Sequence, residues 1–453
     1  MGKYFGTDGF RGEANVSLTV EHAYKIGRFL GYRFQRNGRR SRIVIGKDTR
    51  LSSYMFEGAL DSGIAASGAD AYLMHVTTTP SVSYIARSED FDCGIMISAS
   101  HNGFADNGIK LLNGDGEKMD DEITAQVEQY IDGQYAEIPF AVGDAIGRVV
   151  DHAAGRNRYI GYLISTATHS YRGVKVGLDA ANGSTWMIAK SVFDALGAQT
   201  FVINDMPDGT NINRGCGSTH LAPLQRLVKD NGLDVGFAFD GDADRCLAVD
   251  ESGNVVNGDA ILYFCAAHAK ERGELGNTKV VTTVMSNFGL YKSLERLGIG
   301  CEITDVGDRF VYENMRRNGH LIGGEQSGHI IFRKYANTGD GMLTAIRIMQ
   351  VMLDKKLPLS KLSAGLEIFP QVLRNLRVTD RDAAMNDPNV CEAARRAQQQ
   401  LGDDGRIVLR KSGTEPMIRI MVQAEDCAVC NGIVDRIEQA VRAGGYTEEK
   451  HDV

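Results

Sequence analysis

Ten consecutive residues read Cys93-Gly94-Ile95-Met96-Ile97-Ser98-Ala99-Ser100-His101-Asn102. The first five are apolar apart from one glycine, which is typical of a strand buried on both faces of a sheet. Strands of that kind belong to α/β folds, and those folds bind their ligands beyond the carboxyl ends of the strands. The pattern therefore predicts an α/β fold with Ser100 in a loop at the ligand-binding edge of a sheet.

A second segment repeats this pattern further along the chain. Val235-Gly236-Phe237-Ala238-Phe239 is another buried strand, and Asp240, Asp242 and Asp244 come directly after it. Because alternate residues of an extended backbone point the same way, the three carboxylates can converge. Oxygen ligands without a neighbouring histidine or cysteine suit Mg²⁺ better than Zn²⁺. The two segments together predict a nucleophile and a metal site that share one location.

Each of these segments also has an alternative interpretation. A serine after a strand commonly caps a helix or forms a turn. The aspartates resemble a calcium hand with Glu251 at its twelfth position, but Arg245 stands where that loop needs glycine, and a strand precedes the loop. Asp240 could also be the nucleophile of an aspartyl phosphatase, which would leave Ser100 without a role.

Two further polar loops favour a sugar phosphate as the ligand. One reads Gly323-Gly324-Glu325-Gln326-Ser327-Gly328-His329 and offers a carboxylate, a hydroxyl and an imidazole to the hydroxyls of a sugar. The other reads Arg410-Lys411-Ser412-Gly413-Thr414-Glu415-Pro416-Met417-Ile418-Arg419, in which two arginines and free backbone N–H groups form a phosphate cradle. Each loop alone could be a turn or solvated surface, but four such loops in one chain are harder to explain in that way.

The composition is that of a soluble enzyme and not of a nucleic-acid-binding or membrane protein. The 453 residues exceed what one hydrophobic core normally organises, so three or four domains are expected. A net charge of −8 over this length argues against binding to nucleic acid or to an anionic membrane surface. An anionic substrate must therefore be held by local arginine and lysine side chains.

The sequence predicts neither secretion nor membrane insertion. No apolar segment approaches the ~18 residues of a membrane-spanning helix, and the polar N-terminus enters its first motif by Tyr4, unlike a cleavable signal. The 8 cysteines are scattered, and Cys427 and Cys430 fit a helical pattern better than a metal or redox site. Reduced cysteines and a cytoplasmic location are expected.

Apolar periodicity divides the chain into three similar α/β regions and a different C-terminal one. Besides the two segments above, the predicted strands are 42–46, 71–75, 174–178, 280–284, 372–378, 406–409 and 418–423. The predicted helices are 54–66, 119–131, 186–196, 287–297 and 308–317, with two more after residue 358. The apolar periodicity is lost at residues 136–148, which suggests a domain boundary there.

With Tyr4-Phe5-Gly6-Thr7-Asp8-Gly9-Phe10-Arg11-Gly12, the four loops occur in the order found in the α-D-phosphohexomutase superfamily. The chain resembles that family from its first residues nearly to its last. The Glu325 and Arg410 loops are similar to the phosphoglucosamine branch more than to the phosphomannomutase or phosphoglucomutase branches. Gly103, where the family usually has proline, and Phe10, where it has an aliphatic residue, depart from the pattern without removing a reacting group.

The resemblance implies four domains around one central cleft, with three mixed α/β domains and a smaller C-terminal α+β domain. Each domain donates one loop, and the last domain acts as a lid. The expected domains are 1–155 with the phosphoserine loop, 156–256 with the metal-binding loop, 257–366 with the sugar-binding loop and 367–453 with the phosphate-binding loop.

The resemblance also implies an isomerase that interconverts glucosamine 6-phosphate and glucosamine 1-phosphate through a phosphoserine and a bisphosphorylated sugar. Such an enzyme feeds the synthesis of UDP-N-acetylglucosamine and the cell wall. The alternatives are a phosphomannomutase/phosphoglucomutase or a sugar-phosphate hydrolase. The expected ligands are one Mg²⁺ per active site, glucosamine 1,6-bisphosphate as activator and intermediate, and a small-molecule phosphosugar, with no nucleic acid and no membrane. A homodimer is compatible with the resemblance, which does not fix the oligomeric state.

The site residues carried over from the family fall into three groups. The catalytic residues are Ser100, Lys110, His329 and Arg11. The metal ligands are Ser100, Asp240, Asp242 and Asp244. The substrate-binding residues are Arg245, Glu325, Ser327, Arg410, Ser412, Gly413, Thr414 and Arg419.

Overall fold

The structure is a computed structural model of the chain and describes residues 2–6, 8–35, 39–411 and 416–447. The chain forms two compact units. The first unit comprises Met1–Thr283 and Glu302–Ala364, and the second comprises Val284–Cys301 and Gly365–Val453.

The first unit begins with a seven-stranded sheet. Its strands are β1 (Phe5–Gly6), β2 (Gly9–Glu13), β3 (Arg42–Lys47), β4 (Asp70–Val76), β5 (Cys93–Ile97), β6 (Asp106–Asn113) and β7 (Val149–Asp151). Their spatial order is β1-β2-β6-β5-β3-β4-β7. Strands β5, β3, β4 and β7 run parallel, whereas β6, β2 and β1 join by antiparallel pairing. Because β5 lies inside this sheet, all five of its residues are buried, as its apolar sequence predicts.

Four helices accompany this sheet: α1 (Val20–Arg33), α2 (Leu51–Ala66), α3 (Thr79–Ser88) and α4 (Asp121–Ile131). Side-chain caps fix two of their starts, because Thr19 accepts from the His22 N–H and Thr78 accepts from the Ser81 N–H. Apolar residues from α1, α2, β3 and β5 form a shared core. The core leaves the carboxyl ends of β3 and β5 at one edge, where polar loops begin.

The second sheet of this unit carries the aspartates. Its strands are β8 (Lys175–Asp179), β9 (Gln199–Ile203), β10 (Val235–Phe239), β11 (Cys246–Asp250) and β12 (Val255–Val256), in the order β12-β11-β10-β8-β9. Its helices are α5 (Ala153–Thr166), α6 (Ile188–Ala195) and α7 (Ala222–Asn231). Strand β10 pairs parallel with β8 and antiparallel with β11, so residues 240–245 form a tight connection between two neighbouring strands.

A third, four-stranded sheet follows. Its strands are β13 (Val280–Thr283), β14 (Cys301–Thr304), β15 (Ile322–Gly324) and β16 (Ile330–Phe332), in the order β14-β13-β15-β16. The remaining helices of the first unit are α8 (Gly258–Glu271), α10 (Asp308–Asn318), α11 (Gly341–Lys355) and α12 (Leu359–Leu362). Strands β15 and β16 pair antiparallel and present the loop with Glu325 and His329 between them.

The second unit contains a three-stranded antiparallel sheet. Its strands are β17 (Gln371–Arg377), β18 (Gly405–Lys411) and β19 (Met417–Ala424), in the order β17-β19-β18. Its helices are α9 (Phe288–Arg296), α13 (Arg381–Asn386), α14 (Pro388–Leu401) and α15 (Cys427–Ala443). Cys427 is exposed and Cys430 buried in the first turns of α15, which agrees with ordinary helix positions.

The predicted mixed α/β class is confirmed, with small differences at element ends. Helix α2 begins at Leu51 instead of residue 54, and hydrogen bonds of Ser53 to Asp48 and of Asn107 to Ser52 hold this first turn in place. The predicted helix from residue 186 begins at Ile188 and follows a 3₁₀ turn at Ser184–Met187. Within the described residues, no helix is long and apolar enough to cross a membrane.

Candidate active site

Ser100 lies three residues beyond β5 in an unusual backbone conformation. Its φ of 53° is in the left-handed region, which residues other than glycine seldom adopt. The side chain is buried, and its Oγ–H donates to Asp240 Oδ2 at 2.5 Å. The loop geometry therefore aims the predicted nucleophile directly at the predicted metal ligands.

The three aspartates converge as their spacing predicts. Asp240 and Asp242 are fully buried and Asp244 nearly so. One carboxylate oxygen from each lies within 4.8 Å of the others. Between them, Ala243 has a φ of 59°, which turns the connection sharply from β10 into β11. The calcium-hand alternative finds no support, since Glu251 instead bonds to Ser360.

Gly241 allows the serine loop and the aspartate loop to approach each other. A Cβ atom at this position would lie 2.5 Å from the carbonyl oxygen of Ser100. Since that oxygen belongs to the backbone, no side-chain movement could relieve the clash. The glycine within the aspartate motif is thus required by close packing and not only by the turn.

One ammonium group contacts two of the three buried carboxylates. Lys110 Nζ lies 2.5 Å from Asp242 Oδ2 and 3.0 Å from Asp244 Oδ2. Burial opposes the charge of Lys110, but the two aspartates raise its pKa above the ordinary value. Burial and the neighbouring Asp244 and Asp242 raise the pKa of Asp240 well above its usual range. Burial and the neighbouring carboxylates thus disfavour the charged form of Asp240, and a bound divalent cation would favour it.

The residues present fit a small divalent cation. Asp242 Oδ1 and Asp244 Oδ1 are buried and have no hydrogen-bond partner among the described residues. Buried carboxylate oxygens are seldom left unpaired, because desolvating them is costly. All three acidic side chains offer oxygen, the donor that Mg²⁺ and Ca²⁺ prefer. These oxygens, which receive no hydrogen bond from the described residues, are available to a metal ion.

Two arginines at the site offer donors to an anion. Arg11 is on β2, and its side chain lies 3.5 Å from Asp8. The backbone N–H of Arg245 donates to Asp240 Oδ1 at 3.1 Å. The Nε atoms of both arginines are buried and have no hydrogen-bond partner within the described part of the chain. Guanidinium donors of this kind suit a phosphoryl group.

Two histidines lie beside the nucleophile and the aspartates: His101 contacts Ser100, and His329 contacts Asp244. His101 Nδ1 lies 3.3 Å from Ser100 Oγ, and burial together with Arg245 and Arg11 lowers the pKa of His101 to about 4. His329 is buried, with Nδ1 3.8 Å from Asp244 Oδ1. Its Nε2 accepts the Gly339 N–H at 3.0 Å, so a neutral His329 ring carries its proton on Nδ1.

Glu325 and Ser327 occupy the β15–β16 loop with His329. Glu325 Oε1 accepts the Gly307 N–H at 3.0 Å, and Ser327 Oγ lies 3.5 Å from Glu325 Oε2. Glu325 is half-buried and Ser327 is exposed. Both can therefore reach a ligand, and Glu325 is already oriented by the backbone.

A cavity of about 650 Å³ within the first unit is lined in part by Lys110, Asp244 and His329. It is a suitable size for a small polar ligand. Its lining includes charged and polar side chains from several elements of this unit: Asp8, Lys110, Lys118, Asp244, Asp308 and His329.

The phosphate-cradle residues lie in the second unit. Arg410 on β18 and Arg419 on β19 are directly opposite each other in the antiparallel register. Burial and the charge of Arg419 lower the pKa of Arg410. Ser412, Gly413 and Thr414 lie outside the described residues.

Four domain models of one family match successive parts of the chain. Residues 2–137, 157–253 and 257–369 match the α/β/α domains I, II and III of phosphoglucomutase/phosphomannomutase, and residues 373–440 match the C-terminal domain. The chain belongs to the phosphoglucomutase/phosphomannomutase family. The finer boundaries at 155, 256 and 366 stay predictions.

Relatives of this family member are similar over their whole length. A protein named phosphoglucosamine mutase from Lachnospira eligens is 61% identical over 98% of this chain and 100% of its own. One of the same name from Bacillus cytotoxicus is 46% identical over 98% and 99%. The predicted resemblance to the phosphohexomutases is thereby confirmed.

Solved structures in the family share the fold. A phosphoglucomutase/phosphomannomutase family protein from Burkholderia thailandensis has a TM-score of 0.81 at 23% identity and covers 98% of both chains. Aspergillus fumigatus N-acetylphosphoglucosamine mutase, solved with GlcNAc-6P and magnesium, has a TM-score of 0.70 at 19% identity and covers 98% of this chain and 96% of its own. At these identities the likeness shows the fold alone.

Sequence reasoning missed several charged residues of this phosphohexomutase site. Lys118 Nζ lies 2.6 Å from Asp308 Oδ1 and 3.8 Å from Asp8 Oδ1. Asp308 Oδ2 in turn lies 3.7 Å from His329 Nε2. The sequence signals were weak: Asp308 opens a helix and Lys118 follows a glycine turn. Asp48 and Arg50, which follow β3 at the same sheet edge as Ser100, were also missed.

Proposed function

We propose that this chain interconverts glucosamine 6-phosphate and glucosamine 1-phosphate. The observation that carries the proposal is the 2.5 Å contact from Ser100 Oγ to Asp240, inside a buried carboxylate cluster with unpaired oxygens. This arrangement suits a serine that carries a phosphoryl group beside a metal ion. The choice of sugar is supported by relatives of up to 61% identity that are named phosphoglucosamine mutase.

The proposed metal ligands are Asp240, Asp242, Asp244 and one oxygen of the phosphorylated Ser100. The proposed ion is Mg²⁺, and when bound it supplies electrostatic stabilisation to the charge on the transferred phosphoryl group. Lys110 contacts both Asp242 and Asp244 and keeps these two carboxylates close together. The donor set of oxygens supports Mg²⁺ independently of the distant Aspergillus structure.

The proposed cycle has two phosphoryl transfers. First, the Oγ–P bond of phosphorylated Ser100 breaks as a free sugar hydroxyl oxygen bonds to phosphorus, which gives glucosamine 1,6-bisphosphate. The intermediate turns, and Ser100 Oγ then takes the other phosphoryl group and releases the isomeric monophosphate. Arg11 and Arg245 offer their free Nε–H donors to the reacting phosphoryl group. The same bisphosphate acts as activator, since it can transfer a phosphoryl group to an unphosphorylated Ser100.

Each transfer also moves a proton between the hydroxyl and the protein. Lys110 and His329 are the proposed carriers, and both contact Asp244. The backbone of Gly339 leaves the proton of a neutral His329 on Nδ1, on the side of Asp244. His101 is the weaker candidate, because its depressed pKa of about 4 fits a loop-shaping role.

Substrate preference is the direct test of the proposal. We expect kcat/KM for glucosamine 6-phosphate to exceed that for glucose and mannose 6-phosphates by at least about tenfold, consistent with one carboxylate–ammonium contact. Glu325, oriented by the Gly307 N–H, is a candidate for that contact. The three sugars are assayed side by side for 6-phosphate to 1-phosphate conversion. A preference for glucose or mannose phosphate would reject the glucosamine assignment, and release of free phosphate would indicate a hydrolase.

Arg419→Ala tests the phosphate cradle. Loss of one charge-assisted pair is worth about 1.5 to 3 kcal/mol, so we expect phosphosugar affinity to fall tenfold or more. Calorimetric titration with glucosamine 6-phosphate measures the effect, with Arg396→Ala, an exposed arginine on α14, as the matched control. Normal binding combined with failed phosphate transfer to Ser100 would instead assign Arg419 to the reacting end.

A homodimer and a cytoplasmic location complete the proposal. Light scattering during size-exclusion chromatography tests the oligomeric state.

A further inference from the structure

The loop that carries Ser100 is held by its carbonyl oxygens. Arg50 has a fully buried guanidinium, and its Nη2 donates to the carbonyl oxygens of Ser100 at 3.0 Å and Asn102 at 2.9 Å. Its Nη1 donates to the carbonyl oxygens of Gly103 and Asp106, the latter at 3.1 Å. One side chain thus binds four carbonyl groups of a single loop.

A second donor reaches the same loop from Asn213, in the connection between β9 and α7. Asn213 Nδ2 donates to the carbonyl oxygens of Ser100 at 2.8 Å and Asn102 at 2.9 Å. Both lone pairs of each carbonyl are therefore engaged, one by Arg50 and one by Asn213. One partner is enough to satisfy a buried carbonyl group, so two side-chain donors on each go beyond ordinary satisfaction of buried groups.

The N–H side of Ser100 is tied to the same network. The Ser100 N–H donates to Ser98 Oγ at 3.0 Å, and Ser98 Oγ–H donates to Asp48 Oδ2 at 2.6 Å. Asp48 in turn accepts Arg50 Nε–H at 2.8 Å. The hydrogen bonds form a closed ring from the N–H of Ser100 through Ser98, Asp48 and Arg50 to the carbonyl oxygen of Ser100.

We propose that Asp48, Arg50 and Asn213 form a carbonyl clamp whose function is to fix Ser100 for phosphoryl transfer. These are positioning residues: Arg50 and Asn213 contact the backbone of the nucleophile, and Asp48 acts through Arg50 and Ser98. The clamp maintains the left-handed φ of 53° that aims Oγ at Asp240. The inference rests on the proposed function, in which one Oγ must meet two different phosphates at the same place.

The chemistry explains why a clamp is useful. Phosphoryl transfer depends on in-line placement of donor and acceptor more than on covalent activation. Gly103, which follows directly in this loop, leaves open space around its Cα and adds no stiffness of its own. The clamp therefore supplies the rigidity that the loop sequence lacks.

Asn213→Gly is the decisive variant. Asn213 has a φ of 57°, a conformation that glycine adopts freely, so the substitution removes the amide without straining the backbone. We expect kcat to fall about 10- to 100-fold, as a displacement of about 1 Å at a reacting atom would produce, with KM changed less than about threefold. Hydrogen exchange at residues 99–106 is expected to accelerate while the melting temperature stays close to that of the wild type.

The matched control is Asn15→Gly, which makes the same change at a φ of 60° on the surface. Arg50→Lys is the companion variant, because an ammonium cannot span four carbonyl groups, and we expect a larger loss of kcat than in Asn213→Gly. A folded Asn213→Gly protein with kcat within about twofold of the wild type would overturn the clamp. So would exchange that rises uniformly along the chain with a lowered melting temperature, which marks a general structural role.

Hydrogen exchange separates this inference from the proposed function. If the wild type converts no hexose phosphate, the proposed function fails. Faster exchange confined to residues 99–106 in Asn213→Gly would still support the clamp, and unchanged exchange there would overturn it.

Discussion

Ser100→Ala is expected to lower mutase turnover by roughly 10⁴-fold or more, because the substitution removes the hydroxyl that would accept the phosphoryl group. Ser100 Oγ points to Asp240 from a backbone held by the aspartate loop and the carbonyl clamp. A neighbouring serine cannot substitute, since the Oγ of Ser98 is engaged with Asp48 and the Ser100 N–H.

The measurement pairs kinetics with peptide mass analysis. The wild-type protein incubated with glucosamine 1,6-bisphosphate should carry phosphate on the peptide that contains Ser100, and Ser100→Ala should carry none. Ser62→Ala, an exposed serine on α2, serves as the control and should keep both properties. Undiminished turnover by Ser100→Ala would reject the covalent mechanism altogether.

Asp242→Asn is expected to lower activity by about 10²-fold or more through loss of metal binding. Asp242 contributes an unpaired buried oxygen to the cluster, and asparagine keeps the shape while removing the charge. Because the substitution also weakens the buried ion pair between Asp242 and Lys110, the metal-free variant is expected to be less stable than the metal-free wild type.

Two readouts test this expectation. Mg²⁺ should raise the melting temperature of the wild type by preferential binding to the folded state, and this shift should be lost in Asp242→Asn. Asp230→Asn, at an exposed position, is the matched control. Full wild-type activity in excess chelator would contradict a role for the metal.

Local patterns explain why part of the site was predictable. Ser100 and the aspartates each follow a buried strand, and the end of a parallel strand is a position that sequence reveals directly. The spacing by two between the aspartates also encodes their convergence. In both segments the same few residues predict a buried strand and the reactive side chains that follow it.

Other parts depend on contacts between distant residues. Arg50 and Asn213 of the clamp bind carbonyl oxygens of the Ser100 loop, and every residue has a carbonyl, so no side-chain motif marks the acceptors. Lys118 and Asp308 form an ion pair although 190 positions separate them in the sequence, and local apolar periodicity does not predict such a distant contact. The left-handed φ of Ser100 is likewise imposed by its surroundings and not by its residue type.

The clamped backbone at Ser100 makes the nucleophile a stationary point in the cycle. Because the serine does not move with the substrate, the sugar bisphosphate must itself reorient between the two phosphoryl transfers. It is bound without a covalent bond while it does so. Each bisphosphate that escapes carries away the phosphoryl group that its active site needs for the next turnover. The active fraction of the protein then equals the fraction in which Ser100 is phosphorylated. Diluting the protein favours loss of the bisphosphate, and it can therefore inactivate molecules that remain folded.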